Sequence, residues 1–274
     1  MMKNFYNIQK IIFSCRSEIG LVRKQNEDNF FCAGVSLANG EEIFSLYDVI
    51  QPPCIFAVCD GMGGEAHGEL ASFTVVNVLN EHSERIKSAA LSKNENNLDE
   101  TVQDFISDSN NRLCEIMRKN AFRMGTTLAL AVITDNVIKA YNIGDSRIYK
   151  FQDGTLSQIS EDHTVAEQKI KMGLLTKEEA RYDKSKHVLT RCLGIFEDEM
   201  ILTPNIITPF NVNKECRLMI CSDGLTDMLT DKDIENIFKE NQNTSQTTNM
   251  LVDNALKNGG RDNVTCILID FLGE

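Results

Sequence analysis

Apolar positions along this chain fall first into short β-branched or aromatic-rich runs bounded by Gly, Asn or Pro, the pattern of strands: Ile11 to Ser17, Asn29 to Val35 and Cys54 to Cys59. A looser polar insert separates the last two. From Glu65 to Lys87 the period changes, and Leu70, Phe73, Thr74, Val76, Val78 and Leu79 recur at near-helical spacing. A second helix is expected from about Leu98 to Ala121, joined to the first by the Asn-, Ser- and Lys-rich linker Ser88 to Asn97. Two such helices would pack antiparallel on one face of a sheet.

Strand character returns in Thr126 to Thr134, Val137 to Ile143, Arg147 to Phe151 and Thr155 to Ile159. The separating pairs Asp135-Asn136, Gly144-Asp145 and Asp153-Gly154 are hairpin residues, which predicts an antiparallel meander. His163 to Tyr182 reads as helix in two pieces broken at Gly173, and with the charged, irregular stretch to Glu199 it makes an expected surface lobe over 163–199. Met200 to Ile207 and Cys216 to Cys221 read as strands, Asp231 to Glu240 and Ser245 to Lys257 as helices, and Val264 to Phe271 as a closing strand.

Antiparallel strands with two pairs of helices predict an α+β fold: a central β-sandwich of two antiparallel sheets, each flanked outside by a pair of α-helices, in four layers αββα. At 274 residues the chain is expected to form a single domain, 1–274, with the lobe 163–199 as a flap-like part of it. No internal repeat or low-complexity tract interrupts it.

The formal charge of −12 opposes binding to nucleic acid or to an anionic membrane, which needs clustered Lys and Arg. Nine cysteines without a C-x-x-C pair, several of them inside apolar runs, read as reduced core thiols rather than a disulfide framework or zinc site. No signal peptide or run of about 18 apolar residues is evident, so a cytoplasmic protein is expected.

Candidate chemistry lies in four runs: Asn26-Glu27-Asp28, Asp60-Gly61-Met62-Gly63-Gly64, Ser222-Asp223-Gly224 and Arg261-Asp262-Asn263. Each sets carboxylates beside glycines or amides at the end of an apolar segment. Taken singly, such acids are turn or cap residues. Taken together they offer the oxygen ligands a hard divalent cation wants, so they read as a split Mg²⁺ or Mn²⁺ site.

With Gly20-Leu21-Val22-Arg23, Met124-Gly125-Thr126-Thr127, Gly144-Asp145-Ser146-Arg147, Glu161-Asp162-His163-Thr164, Leu189 to Gly194 and Gly260 to Asn263, these motifs resemble, in order, those of the metal-dependent (type 2C) protein phosphatases over nearly the whole chain. The resemblance implies a serine/threonine protein phosphatase with two Mn²⁺ or Mg²⁺ ions, in which an activated water attacks phosphorus without a covalent phosphoenzyme. Asp60 would bridge the two ions, Asp223 and Asp262 completing one and the carbonyl of Gly61 serving the other. Glycine at 61 would leave the backbone free to turn. Glu27 and Asp28 would hold cation waters or orient ligands, and Asn263 would support Asp262. Arg23 matches the phosphate-binding arginine, whose fork suits two phosphoryl oxygens. Asp145 matches a position that, with Asp223, holds a weaker third ion in bacterial-like members. The implied partners are phosphorylated proteins and an opposing serine/threonine kinase.

Met62 departs from many eukaryotic relatives, which carry histidine there; methionine cannot donate a proton, so the leaving oxygen must take its proton elsewhere. His67, expected on a helix, is a poor substitute. His163 is expected to cap or pack at the start of its helix, and Ser146 to hydrogen-bond a turn. A Ser146 esterase is the rival enzyme reading, and a phosphatase-like module that binds without turnover the other. The first lacks a histidine after His187, and the second is at odds with the intact acids.

Overall fold

The computed structural model describes residues 6–38, 41–63, 67–92 and 94–274. The chain opens with β1 (Ile8–Glu18), β2 (Asp28–Cys32), β3 (Val35–Ser36), β4 (Ile43–Ile50) and β5 (Cys54–Met62), followed by helices α1 (His67–Ala90) and α2 (Glu95–Asn120). Next come β6 (Gly125–Thr126), β7 (Leu128–Ile133), β8 (Ile138–Ile143), β9 (Arg147–Gln152) and β10 (Thr155–Gln158), then the short helices α3 (Val165–Lys171) and α4 (Lys177–Ala180). Then β11 (Asn205–Phe210), β12 (Arg217–Cys221), α5 (Asp223–Thr226), α6 (Asp231–Glu240), α7 (Thr244–Lys257) and β13 (Val264–Gly273) complete the fold.

The strands form two antiparallel sheets, one ordered β10-β9-β12-β13-β1-β4 and the other β11-β8-β7-β5-β2-β3, with β6 paired to β5. Side-chain alternation explains the layering. In β5, Cys54, Phe56 and Val58 point between the sheets, while Ile55, Ala57 and Cys59 point outward under α1 and α2. In β13, Ile267, Ile269 and Phe271 join the inter-sheet core, and Val264, Cys266 and Leu268 pack beneath α6 and α7. Strands buried on both faces need apolar residues at every position, which is why these runs are continuous rather than alternating. The result is the expected four-layer αββα sandwich. No disulfide forms: eight cysteines are buried and Cys192 is half-buried, all of them free. Among the described residues no helix is long and apolar enough to cross a membrane.

Several elements differ from expectation. The polar insert before Cys54 contains β4, an edge strand paired with β1, whose Ile43, Tyr47 and Val49 stay exposed. Asn29 to Val35 splits into β2 and β3 at Ala33-Gly34, both at positive φ. Helix α1 runs past Lys87 to Ala90 and α2 begins before Leu98, its N-terminus capped by the Asn94 side chain accepting from the Asn96 N–H, so the linker shrinks to 91–94. The expected helix start at Glu65, and Gly64, lie outside the described residues. The middle strand pair of the expected meander is not formed: β8 and β9 belong to opposite sheets, and the chain crosses between them at Gly144-Asp145-Ser146, whereas β7 pairs with β8 and β9 with β10. The strand expected from Met200 begins only at Asn205 and extends through Phe210. Helix α5, a single turn that Ser222 precedes, is an element the sequence pattern does not predict. Over 163–199, α3 and α4 flank Gly173, whose φ of +71° ends the first piece, as the sequence predicts.

Candidate metal centre

The four acidic runs converge because they sit at one end of both sheets. Asp28 opens β2 and lies directly across from Asp60 near the end of β5. In the other sheet Cys221 pairs with both Arg147 and Cys266, so Asp145 just before β9, Asp223 just after β12 and Asp262 just before β13 gather at neighbouring strand ends. Burial raises the Asp60 carboxyl well above the usual range, and the charges of Asp28, Asp223, Asp145 and Asp262 raise it further. Asp145 is raised likewise, by burial and then by Asp223 and Asp162.

Backbone anchors fix Asp60. Its N–H donates to Thr127 Oγ1 at 2.9 Å, and its carbonyl accepts from the Thr127 N–H and the Thr126 hydroxyl, each at 2.9 Å. Gly61 is glycine for room rather than for an unusual backbone angle: a β-carbon there would lie 2.1 Å from the Gly68 carbonyl oxygen and 2.6 Å from that of Glu27. The Gly61 N–H donates to that Glu27 carbonyl at 3.0 Å, which seats the loop of Glu27 against β5. Gly144 does need its left-handed backbone, at φ +96°, with Thr127 packed where a side chain would go. That turn presents Asp145.

Asp28 is buried, and its Oδ2 accepts from the Ser222 hydroxyl at 2.7 Å. Its Oδ1 has no protein partner, an orphaned buried carboxylate oxygen beside other acids. Burial pushes its carboxyl up to about 7, against the hydrogen bond from Ser222. Carboxylates gathered this closely repel one another unless positive charge joins them, and their oxygen donors fit Mn²⁺ or Mg²⁺. The residues present therefore fit the cations that the motifs imply.

Asn263 does more than expected. Its backbone N–H donates to Asp262 Oδ1 at 2.9 Å, while its side chain accepts from the Glu27 N–H at 2.8 Å and donates to the carbonyls of Ile19 and Gln25, each at 2.9 Å. It thereby ties the loop bearing Arg23 to the strand end bearing Asp262. Arg23, half-exposed, donates to Asp262 Oδ2 at 2.6 Å. Glu27 is raised by burial, with Arg23 pulling the other way.

His67 stacks on Phe122 at 3.8 Å, and the His163 ring accepts from the Gly144 N–H at 3.0 Å. Ser146 is fully buried, its hydroxyl 2.6 Å from that of Thr127 and without a histidine partner, which leaves the esterase reading unsupported. Sequence reasoning missed His187. It lies 3.2 Å from Asp223 and 3.3 Å from Asp227, and no local pattern in its irregular segment marks it.

A protein-family model described as Protein phosphatase 2C matches residues 47–258. The serine/threonine phosphatase stp of Listeria welshimeri is 30% identical over 257 residues, covering 93% of this chain and 94% of that protein. The crystal structure of serine/threonine phosphatase Stp1 from Staphylococcus aureus superposes with a TM-score of 0.79 at 26% identity, covering 100% of this chain and 98% of that one. The catalytic domain of the serine/threonine protein phosphatase PstP, solved with two manganese ions, superposes with a TM-score of 0.74 at 28% identity, covering 96% of this chain and 99% of that one. With its acids gathered at the ends of a two-sheet sandwich and its motifs in register from end to end, this chain belongs to the protein phosphatase 2C family.

Proposed function

We propose that this protein removes phosphate from phosphoserine and phosphothreonine in other proteins, with two Mn²⁺ or Mg²⁺ ions held by Asp60, the Gly61 carbonyl, Asp223 and Asp262. The observation that carries this reading is the gathering of Asp28, Asp60, Asp145, Asp223 and Asp262 at neighbouring strand ends, where each of the other four raises the Asp60 carboxyl and bound cations would relieve the repulsion. When bound, the pair of cations activates water for in-line attack and neutralises the phosphoryl oxygens.

The chain's own residues supply the rest. Arg23 grips the phosphoryl group: Asp262 takes one of its N–H donors and leaves others of the guanidinium fork for substrate oxygens. Asn263 keeps that arginine in register with Asp262 through its bonds to Ile19 and Gln25. Glu27 and Asp28 orient the ligand set, Asp28 through Ser222, which precedes Asp223. Asp145 adds a ligand for a third, weaker ion. Met62 offers no proton to the leaving oxygen.

The whole chain, 1–274, acts as one catalytic domain, and the lobe 163–199 is its flap, selecting among phosphorylated proteins by contacts beside the phosphate. In the cytoplasm the enzyme opposes a serine/threonine kinase. Asp60→Asn and Asp223→Asn are each expected to lower Mn²⁺-dependent phosphate release from a phosphothreonine peptide by at least about a thousandfold, the scale of losing charge stabilisation at phosphorus. Near-wild-type turnover in either variant refutes the assignment.

A further inference from the structure

Three of the four sheet edges are built against further pairing. β10 is four residues long, β3 only two, and β11 carries Pro209 where its register with β8 breaks. Shortness, proline and irregularity keep the open hydrogen-bonding row of an edge from recruiting other chains. β4 has none of them. It runs eight residues in unbroken register with β1 and holds no Pro, Lys or Arg, and among the described residues nothing pairs with its other side.

The side chains of β4 are apolar on both faces. Phe44, Leu46 and Ile50 pack against the inter-sheet core but are only partly buried there, while Ile43, Tyr47 and Val49 stand exposed on the opposite face. An apolar edge of this length is a template for strand addition. The Val49 N–H donates to Asp48 Oδ1, the carboxylate of its own neighbour, at 2.7 Å, which puts it on the open side of the strand. By alternation Ile43, Ser45 and Tyr47 also turn their N–H and C=O groups outward, and the residues between them face β1.

We propose that β4 is the contact through which two copies of this chain associate, antiparallel about a twofold axis at Leu46, joining their six-stranded sheets edge to edge. In that register Ser45 pairs with Tyr47 of the second copy and Ile43 with Val49, so every outward-facing residue of the strand finds a partner. Apolar meets apolar where Ile43 faces Val49 and where Leu46 meets its own copy. Asp48 falls opposite Phe44 and Glu42 opposite Ile50, so no like charges meet across the ladder, although each copy carries a formal charge of −12. An axis at Asp48 would set two carboxylates against each other. Pairing also covers the core-facing flank of Phe44, Leu46 and Ile50, and an antiparallel edge is complementary to itself, so a second copy satisfies it.

Sedimentation equilibrium of the full chain tests the proposal. A monomer–dimer equilibrium is expected that tightens between about 0.05 and about 0.5 M NaCl, because salt screens the repulsion between two acidic copies. Ser45→Pro deletes an outward N–H and leaves the β1 side of the strand intact. It removes two hydrogen bonds per dimer and should weaken association about tenfold. Asp48→Ala releases the Val49 N–H and takes one negative charge from each copy, so it should tighten association at least about threefold, a change that misfolding does not mimic.

Cysteine cross-linking reads the register. With diamide as the oxidant, Leu46→Cys should form a disulfide-linked dimer across the axis, whereas Phe44→Cys, opposite Asp48, should give only the wild-type background. A wild type that stays monomeric at about 100 μM in either salt overturns the proposal. So does association that Ser45→Pro leaves unchanged or that Asp48→Ala fails to tighten. Equal cross-linking of the two cysteine variants, or none by Leu46→Cys, overturns it as well.

Discussion

The imidazole of His163 holds up the turn that presents Asp145 only while it is neutral. Its Nδ1 accepts the Gly144 N–H at 3.0 Å, and burial, with Arg191 nearby, pulls its pKa down to about 4. In the unfolded chain the same ring titrates near 6.5. Between those values the unfolded state binds a proton that the folded state refuses, so this contribution to stability is lost as pH falls from about 6.5 toward 4. His163→Gln keeps an acceptor and removes the titration. Urea midpoints in EDTA should therefore show the wild type's advantage over this variant shrinking as pH drops through that window, and a constant advantage contradicts the assignment. Asp28, raised to about 7, contributes in the opposite sense in the metal-free protein, which is why the difference from the variant is the informative quantity.

Helix α2 is more than a cover for the sheet, since it also fixes where the lobe rejoins the sandwich. Asn110, buried on α2, accepts from the N–H groups of Gly194 and Ile195 at 2.8 and 3.1 Å and donates to the Ile195 carbonyl at 2.8 Å. Beside it, Leu193 and Thr126 exchange backbone hydrogen bonds at 2.9 and 3.1 Å. Asn110→Ala strands the N–H groups of Gly194 and Ile195, the Ile195 carbonyl keeping its contact with Cys114 Sγ at 3.4 Å, and should cost about 1–3 kcal/mol. Amide exchange should accelerate at 193–196 more than in β7 or β13; uniform acceleration would mean that the lobe's anchor lies elsewhere. Local pattern served the long helices well, because their apolar stripes repeat. It failed at β4, a half-exposed edge strand whose burial pattern is set by its single neighbour β1, and at α5, which is only one turn long and begins at Asp223.

Across the whole molecule, the order of elements and the acids of the centre could be read from the sequence, and the way the strands are shared between sheets could not. Gly144-Asp145 has hairpin residues, yet it carries the chain from one sheet to the other, since which sheet β9 joins is decided by its pairing with β12, some seventy residues further along. The convergence of Asp60, Asp223 and Asp262 is legible because each sits at or beside the end of a strand in a motif with glycine or amide neighbours. His187 was not, since its partner Asp223 is 36 residues away and only the folded lobe brings them together. The central claim is that distant carboxylates share cations at the ends of the two sheets. Anomalous diffraction from crystals grown with Mn²⁺ tests it most directly. Two strong peaks about 3.5–4 Å apart, both within bonding distance of Asp60 and one also bound by Asp223 and Asp262, are the predicted result. Density with no anomalous peak at Asp60, in crystals saturated with Mn²⁺, contradicts it.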